Sequence, residues 1–341
     1  MRLSRHDLDR MAAETGFQAE PLEKALQLLD LLEALRSHPY LADRLVLKGG
    51  TALNLFLLSA PRLSVDIDLN YVGSPSREVM LNERPIVEQA VHAVCARQKL
   101  SVARVPGEHA GGKWRLGYER VNGGSGRLEL DLNYLLRLPL WAPERRDSLL
   151  LGGIRASRVP LLDAHELVAG KLAALFGRSA SRDLFDAHLL LGRAELQPDR
   201  LRIAFVVYGA MSRRDWRTVS ADDVRIEPAD AERRLLPLLR KGIAPSRQEL
   251  DDWCSRLTDE CRDRLSNVLP LRSAEREFVG LVVDRGEVAP GLLTGDSELQ
   301  ARIRSQPALQ WRALHARGRT DRPVDPEERP NPPGGNPDTW P

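Results

Sequence analysis

Ser64, Asp66 and Asp68 alternate with Val65, Ile67 and Leu69 in the run Arg62–Leu69, the period-2 pattern of a half-buried strand. On such a strand the three polar side chains project from one face. Two carboxylates so placed repel each other unless a cation lies between them. Hard divalent ions meet that need, Mg²⁺ above all with Mn²⁺ as a substitute, binding through one or two carboxylates plus substrate phosphates. Just upstream, apolar Leu45-Val46-Leu47 leads through Lys48 into Gly49-Gly50-Thr51, and Ala52, Leu53, Leu55 and Phe56 follow with helical spacing. Without Cβ atoms, Gly49 and Gly50 let backbone N–H groups approach an anion, and the helix N-terminus adds the positive end of its dipole. A metal pair beside a phosphate cradle implies phosphoryl or nucleotidyl transfer. Taken singly, each signal has a plainer reading: the D-x-D as a solvated strand edge, the Gly-Gly-Thr as a turn with an N-cap. It is their order, strand, glycine turn, helix and acidic strand, that makes them specific.

Two further groups carry chemistry-bearing types. In Arg127–Tyr134 the alternation puts Glu129, Asp131 and Asn133 on one strand face, which by itself reads as a charged exposed face or as a third carboxylate for two-metal transfer. Lys171 is the one strong charge in the middle turns of a helix expected over about Ala164–Arg178; it is a solvated face residue or a cation for a nucleotide triphosphate. On the next helix Arg182 and Asp186 lie four apart and Asp183 and Asp186 three apart, so they share a face, consistent with an intrahelical ion pair and an acid favoured by the helix dipole.

The stretch LKGGTALNLF with RLSVDIDL resembles the G-G-[ST]…D-x-D signature of the DNA polymerase β-like nucleotidyltransferase superfamily. Within it, the wording is similar to the AbiEii-type nucleotidyltransferase toxins of type IV toxin–antitoxin and phage abortive-infection systems, and Lys171 followed by Arg182-Asp183-Leu184-Phe185-Asp186 resembles that family's later motif. The likeness is strong from about Leu45 to Leu191, and Pro307–Arg312 resembles a recurrent C-terminal phrase. The resemblance implies that Asp131 is the third acid, a metal ligand with Asp66 and Asp68 or the base for the acceptor hydroxyl, and that Glu129 is a neighbour only. It implies that Lys171 binds nucleotide phosphate, that Asp186 is a catalytic or positioning acid, and that Asp183 assists binding. Lys48, Gly49, Gly50, Thr51 and Ser64 would line the phosphate path. The implied substrates are an NTP and an RNA acceptor, a tRNA 3′ end in particular, with growth arrest as the outcome. The implied partner is an antitoxin encoded nearby, often a winged-helix repressor, that acts without stably binding the toxin. Two other readings stay open: the same transfer onto a protein side chain or small molecule, and a nucleotide-binding module without turnover.

These residues need a mixed α/β scaffold. A packing helix reads over about Leu8–Arg36, broken by Pro39 and Asp43 before the Leu45 strand. A helix over about Arg77–Gln98, a strand over Leu100–Val105 and a hairpin of Lys113–Val121 with Arg127–Leu135, turned by Asn122–Gly126, complete the first half. Asp163 and Glu166 have the spacing of a capping box. Beyond Leu196 leucine stripes predict helices over Leu201–Arg213, Ala229–Leu239, Ser246–Leu269 and Ser273–Arg285. The expected fold is α+β, a polymerase β-like core of mixed sheet and flanking helices plus a helical C-terminal domain. Its expected segments are 1–44 helical, 45–160 core, 161–319 helical and closing the cleft, and 320–341 a disordered tail rich in proline, glycine and asparagine.

With 341 residues and a formal charge of +2, the chain has ample material for a core and no global charge that announces a nucleic-acid partner. Its three cysteines, Cys95, Cys254 and Cys261, read as free thiols in a reducing cytosol. The histidines form no zinc pattern. No apolar run approaches a membrane span, and the N-terminus lacks an apolar signal core, so a cytoplasmic protein is expected. The arginine pairs Arg213-Arg214 and Arg233-Arg234, and Arg317-Gly318-Arg319, are candidate RNA phosphate contacts or ordinary surface.

Overall fold

The computed structural model of the chain describes residues 3–320 apart from 106, 109 and 194; of the tail expected to be disordered, 320–341, all but Thr320 lies outside them. In chain order the strands are β1 (Leu45–Lys48), β2 (Asp66–Tyr71), β3 (Ser101–Arg104), β4 (Gly111–Glu119), β5 (Ser125–Asn133), β6 (Glu144–Arg146) and β7 (Val159–Leu161). They form one seven-stranded sheet, ordered β3-β4-β5-β2-β1-β7-β6. β1 and β2 pair antiparallel, β2 and β5 parallel, and β4 and β5 make the expected hairpin. Ile67, Leu69, Leu130 and Leu132 are buried at 3 % exposure or less, whereas the acids between them are only partly covered, so one face of β2 and β5 is core and the other is polar.

The longer helices are α1 (Arg5–Thr15), α2 (Ala19–Ser37), α3 (Gly49–Ala52, continuing as a π-type turn over Leu53–Leu57), α4 (Arg77–Arg97), α5 (Ala164–Arg178), α6 (Ser181–Leu191) and α7 (Pro198–Met211). After the short α8 (Pro228–Asp230) come α9 (Leu250–Arg264), α10 (Ser273–Gly280), α11 (Ser297–Arg304) and α12 (Pro307–Thr320). α2 buries leucines on most of its surface and lies against β2, β5, β7 and α4. In the helical half, Phe176 of α5, Phe205 of α7 and Trp216 meet with ring centroids 5.0 to 6.0 Å apart. Burying such a ring contributes roughly 1.5–3 kcal/mol.

Several expectations are corrected. The single N-terminal helix is two, because Gly16 at φ +76° closes α1 with a left-handed cap. The acidic strand starts at Asp66, not Arg62. Its lead-in instead pairs with the helical half: Arg62 bridges Leu239, Leu63 N donates to the Leu238 carbonyl at 2.8 Å, and Arg240 N donates to the Pro61 carbonyl at 3.2 Å. The edge strand β6 and its neighbour β7 arise in a segment that reads only as mixed. The arginines offered as RNA contacts are engaged locally in part: Arg214 donates to the Phe176 carbonyl, Arg233 to the Ala229 carbonyl and Arg317 to the Gly286 carbonyl.

Asp163 caps α5 by accepting from His165 N, but Glu166 does not close the box. Its carboxylate accepts instead from Leu140 N at 3.0 Å, Trp141 N at 3.2 Å and the Tyr208 hydroxyl at 3.0 Å, tying the segment after β5 to α5 and α7. Burial pushes this carboxyl up to about 7, against the pull of those three donors. The unfolded chain ionises Glu166 near the ordinary 4.5, so between 4.5 and about 7 it binds fewer protons than the folded chain and stability falls as pH rises. Glu166→Gln should flatten that dependence by up to ~3 kcal/mol. Thermal unfolding of both proteins from pH 5 to 7.5 checks it; a wild-type-minus-variant gap that stays constant across the range refutes it.

Candidate active site

Strand register assembles the acids. Along the parallel β2/β5 pair, Asp66 stands opposite Glu129, Asp68 opposite Asp131 and Asn70 opposite Asn133. Antiparallel pairing adds Lys48 opposite Asp68 and Lys113 opposite Asp131. Register partners share a face, so two carboxylates lie side by side between two lysines in the row Lys48, Asp68, Asp131, Lys113. The Asp131 carboxyl is held above its ordinary range, first by burial, with Lys48 opposing and Asp68 adding repulsion. Asp66 is raised in the same way, by burial first, with Lys24 opposing and Asp68 repelling. Glu129 is drawn off to Lys113, 3.3 Å away.

The glycine turn touches this row directly. Gly49 has φ +72°, and a Cβ there would overlap the Asp68 carboxylate. A Cβ on Gly50 would come within 2.9 Å of Ser64 Oγ and 3.1 Å of Arg62 Nη2. Thr51 is fully buried, and its hydroxyl donates to the Asp66 carbonyl at 2.5 Å, fastening the turn to the start of β2. Gly49→Ala should therefore shift Asp68 and lower nucleotide transfer by about 10²-fold, the scale of a 1 Å misplacement. Transfer assays beside circular dichroism check this; a folded variant with wild-type turnover contradicts it.

The later motif lies in a buried ionic network. Lys171 Nζ, 8 % exposed, is 2.7 Å from Asp183 Oδ1 and 3.1 Å from Asp186 Oδ2. Asp186 is fully buried and also accepts from Arg62 Nε at 2.8 Å, Arg62 Nη2 at 2.5 Å and Asn54 Nδ2 at 3.1 Å. Asn54 Nδ2 donates to the Gly50 carbonyl as well, at 3.0 Å. Arg178 Nε completes the set on Asp183 at 2.7 Å. Burial alone would raise both acids; Lys171 and Arg178 outweigh it at Asp183, and Arg62 and Lys171 at Asp186, so both sit below the usual carboxylate range. The intrahelical Arg182–Asp186 pair expected from spacing is not the one made: Arg182 Nη1 reaches Asp66 Oδ2 at 4.0 Å, while Asp186 takes Arg62 and Lys171. Thus α6 contacts both halves, Asp66 through Arg182 and Lys171 through Asp183 and Asp186.

The residues the sequence singled out therefore fall on contiguous ground, but in two layers. Asp66, Asp68, Asp131, Lys48, Gly49 and Gly50 form the polar sheet face and its turn, while Thr51, Ser64, Lys171, Asp183 and Asp186 are buried behind it. Lys24, Asn54, Arg62 and Arg178 join them without having been anticipated. No local signal marks Lys24 on its leucine helix, whereas Arg62 and Asn54 stand next to the motif in sequence.

Among the described residues, no three His, Cys, Asp or Glu side chains are gathered closely enough to hold a metal ion by themselves. Asp66, Asp68 and Asp131, expected as metal ligands, share one face of the β2/β5 pair. The arrangement fits a divalent ion completed by phosphates: adjacent carboxylates, of which Asp66 and Asp131 are raised by burial and by the neighbouring Asp68, beside a turn stripped of side chains. The three cysteines are free and buried, and among the described residues no helix is long and apolar enough to cross a membrane.

A family model described as nucleotidyl transferase AbiEii toxin, type IV toxin–antitoxin system, matches residues 30–314. No curated protein matches the chain. Among solved structures, the fold is similar to MenT4, a nucleotidyltransferase toxin from Mycobacterium tuberculosis H37Rv, with a TM-score of 0.58 at 19% identity over 91% of this chain and 99% of that one.

Proposed function

Since the chain belongs to the AbiEii family of nucleotidyltransferase toxins of type IV toxin–antitoxin systems, we propose that it moves a nucleoside monophosphate from an NTP to an RNA acceptor, a tRNA 3′ end in particular, and so arrests growth. The acceptor hydroxyl oxygen forms a bond to the α-phosphorus, the bond from that phosphorus to the bridging oxygen breaks, and pyrophosphate leaves with the electron pair. The hydroxyl proton passes to a base, and Asp131, its carboxyl raised toward proton affinity, stands in register beside Asp68 to take it or to share a metal ligand's role. Asp66 and Asp68, with Asp131, would hold Mg²⁺ together with the substrate's phosphates; bound there, the ion supplies charge neutralisation for the transferring group. Gly49 and Gly50 offer backbone to the phosphates, with Lys48 at the edge of the row; Thr51, Ser64, Lys171, Asp183 and Asp186 hold the turn and the helices in place. Residues 45–160 act as the catalytic core and 161–319 as a helical domain over the cleft. The protein works in the cytoplasm, and its antitoxin, encoded nearby, acts without a stable complex.

The observation that carries this reading is the Asp68–Asp131 register directly against Gly49. It is tested by incubating the protein with total RNA, Mg²⁺ and each [α-³²P]NTP in turn, with an Asp66→Ala/Asp68→Ala control. The expected result is label on RNA that the control lacks. Label on protein alone, or none at all, overturns it.

A further inference from the structure

We propose that Lys24 of α2 and Arg182 of α6 form the cationic clamp for the β- and γ-phosphates of the NTP, the part that leaves as pyrophosphate. This rests on the nucleotidyltransferase reading above and adds which side chains neutralise the leaving group. Lys24 Nζ lies 4.0 Å from Asp66 Oδ1, and Arg182 Nη1 lies 4.0 Å from Asp66 Oδ2, so the two cations approach the first acid of the D-x-D on different oxygens and from different helices. Both gaps are too long for hydrogen bonds. Among the described residues neither cation makes a hydrogen bond to the protein, and their side chains keep 25 % and 33 % of their surface in solvent. Lys24 and Arg182 thus share the Asp66 carboxylate, with Asp230 also acting on Arg182 at longer range, and their side-chain N–H groups are available to an anion. Arg182 presents the planar fork that suits phosphate oxygens, and Lys24 a mobile point charge.

Lys171 contrasts with them. Its ammonium is 8 % exposed and within hydrogen-bond reach of two carboxylates, Asp183 and Asp186. Those acids already match its charge, so a phosphate reaching Lys171 would have to displace a buried partner. A phosphate reaching Lys24 and Arg182 displaces only a weak contact. With both cations on phosphate, the Asp66 carboxylate would be free to serve as a metal ligand.

The test uses the full-length protein and inorganic pyrophosphate with Mg²⁺, titrated by calorimetry, beside NTP steady-state kinetics. Lys24→Ala and Arg182→Ala should each weaken pyrophosphate binding about tenfold and raise the KM for NTP more than they lower kcat. Lys24→Arg should restore most of the binding, and thermal unfolding should be near wild type in all three. Pyrophosphate affinity within twofold of wild type in both alanine variants overturns the clamp while leaving the nucleotidyltransferase reading in place. A wild-type protein that transfers no nucleotide and binds no pyrophosphate overturns both.

Discussion

Asp68→Ala should lower nucleotide transfer by about 10³-fold or more, since on the proposed reading it removes one of the paired carboxylates that would hold the ion beside the transferring phosphate. The same substitution should leave the fold as stable as wild type or slightly more so. Asp68 and Asp131 stand side by side on adjacent strands, and Asp68 adds repulsion to the burial that raises the Asp131 carboxyl. Deleting one relieves repulsion that the ligand-free protein carries. A structural acid behaves in the opposite way, losing stability along with activity. Single-turnover transfer and thermal unfolding of Asp68→Ala, measured side by side, separate the two. A variant that melts several degrees lower and keeps turnover would mean that this acid holds the sheet together and takes no part in the reaction.

Asp186→Ala should show the reverse balance. Its carboxylate is fully buried and receives Arg62 Nε and Nη2, Asn54 Nδ2 and Lys171 Nζ. Removing it strands the Arg62 guanidinium at 2 % exposure and leaves Lys171 with Asp183 alone. Breaking a buried pair from one side costs about 3–5 kcal/mol, a fall of roughly 4–7 °C in Tm for a chain of this size. Activity should fall as well, because Asn54 and Arg62 then lose the anchor that holds them against Gly50. The native carboxyl is depressed by Arg62 and Lys171 despite burial, so its stabilisation is present above the ordinary 3.8 and is lost as pH falls below it. Asp186→Ala should accordingly be less sensitive to acid than wild type over that range. Differential scanning calorimetry between pH 3 and 7 measures both effects, and an unchanged Tm at neutral pH would remove Asp186 from this structural role.

What the sequence disclosed was whatever depends on neighbours along the chain. The alternation through Asp66–Leu69 and Arg127–Asn133 reads directly as two half-polar strands, and the glycine turn before them reads as a close approach. The hairpin between β4 and β5 is legible in Asn122–Gly126 because only such residues tolerate its backbone, Gly123 and Gly124 both lying at φ +84°. Long-range competition hid the rest. Glu166 has the spacing of a capping partner, yet three donors from elsewhere in the fold claim its oxygens. Arg182 and Asp186 have the spacing of an ion pair, yet each finds a better-buried or more isolated opposite charge in another element. β7 carries Pro160 and spans three residues, too short and too irregular to show a period. Lys24 could not be connected with Asp66 until α2 was laid across the sheet.

The pairing of Pro61–Leu63 with Leu238–Arg240 bears on the order in which the fold can be completed during synthesis. Those partners lie on opposite sides of the catalytic strands in chain order, so a polypeptide still emerging from the ribosome has made all its acids before it has made the segment that braces their lead-in. Until Arg240 has cleared the exit tunnel, Arg62 has no bridge partner and the stretch feeding β2 has nothing to lie against. A chain that ends before Leu238 therefore lacks the segment against which the lead-in to β2 is braced.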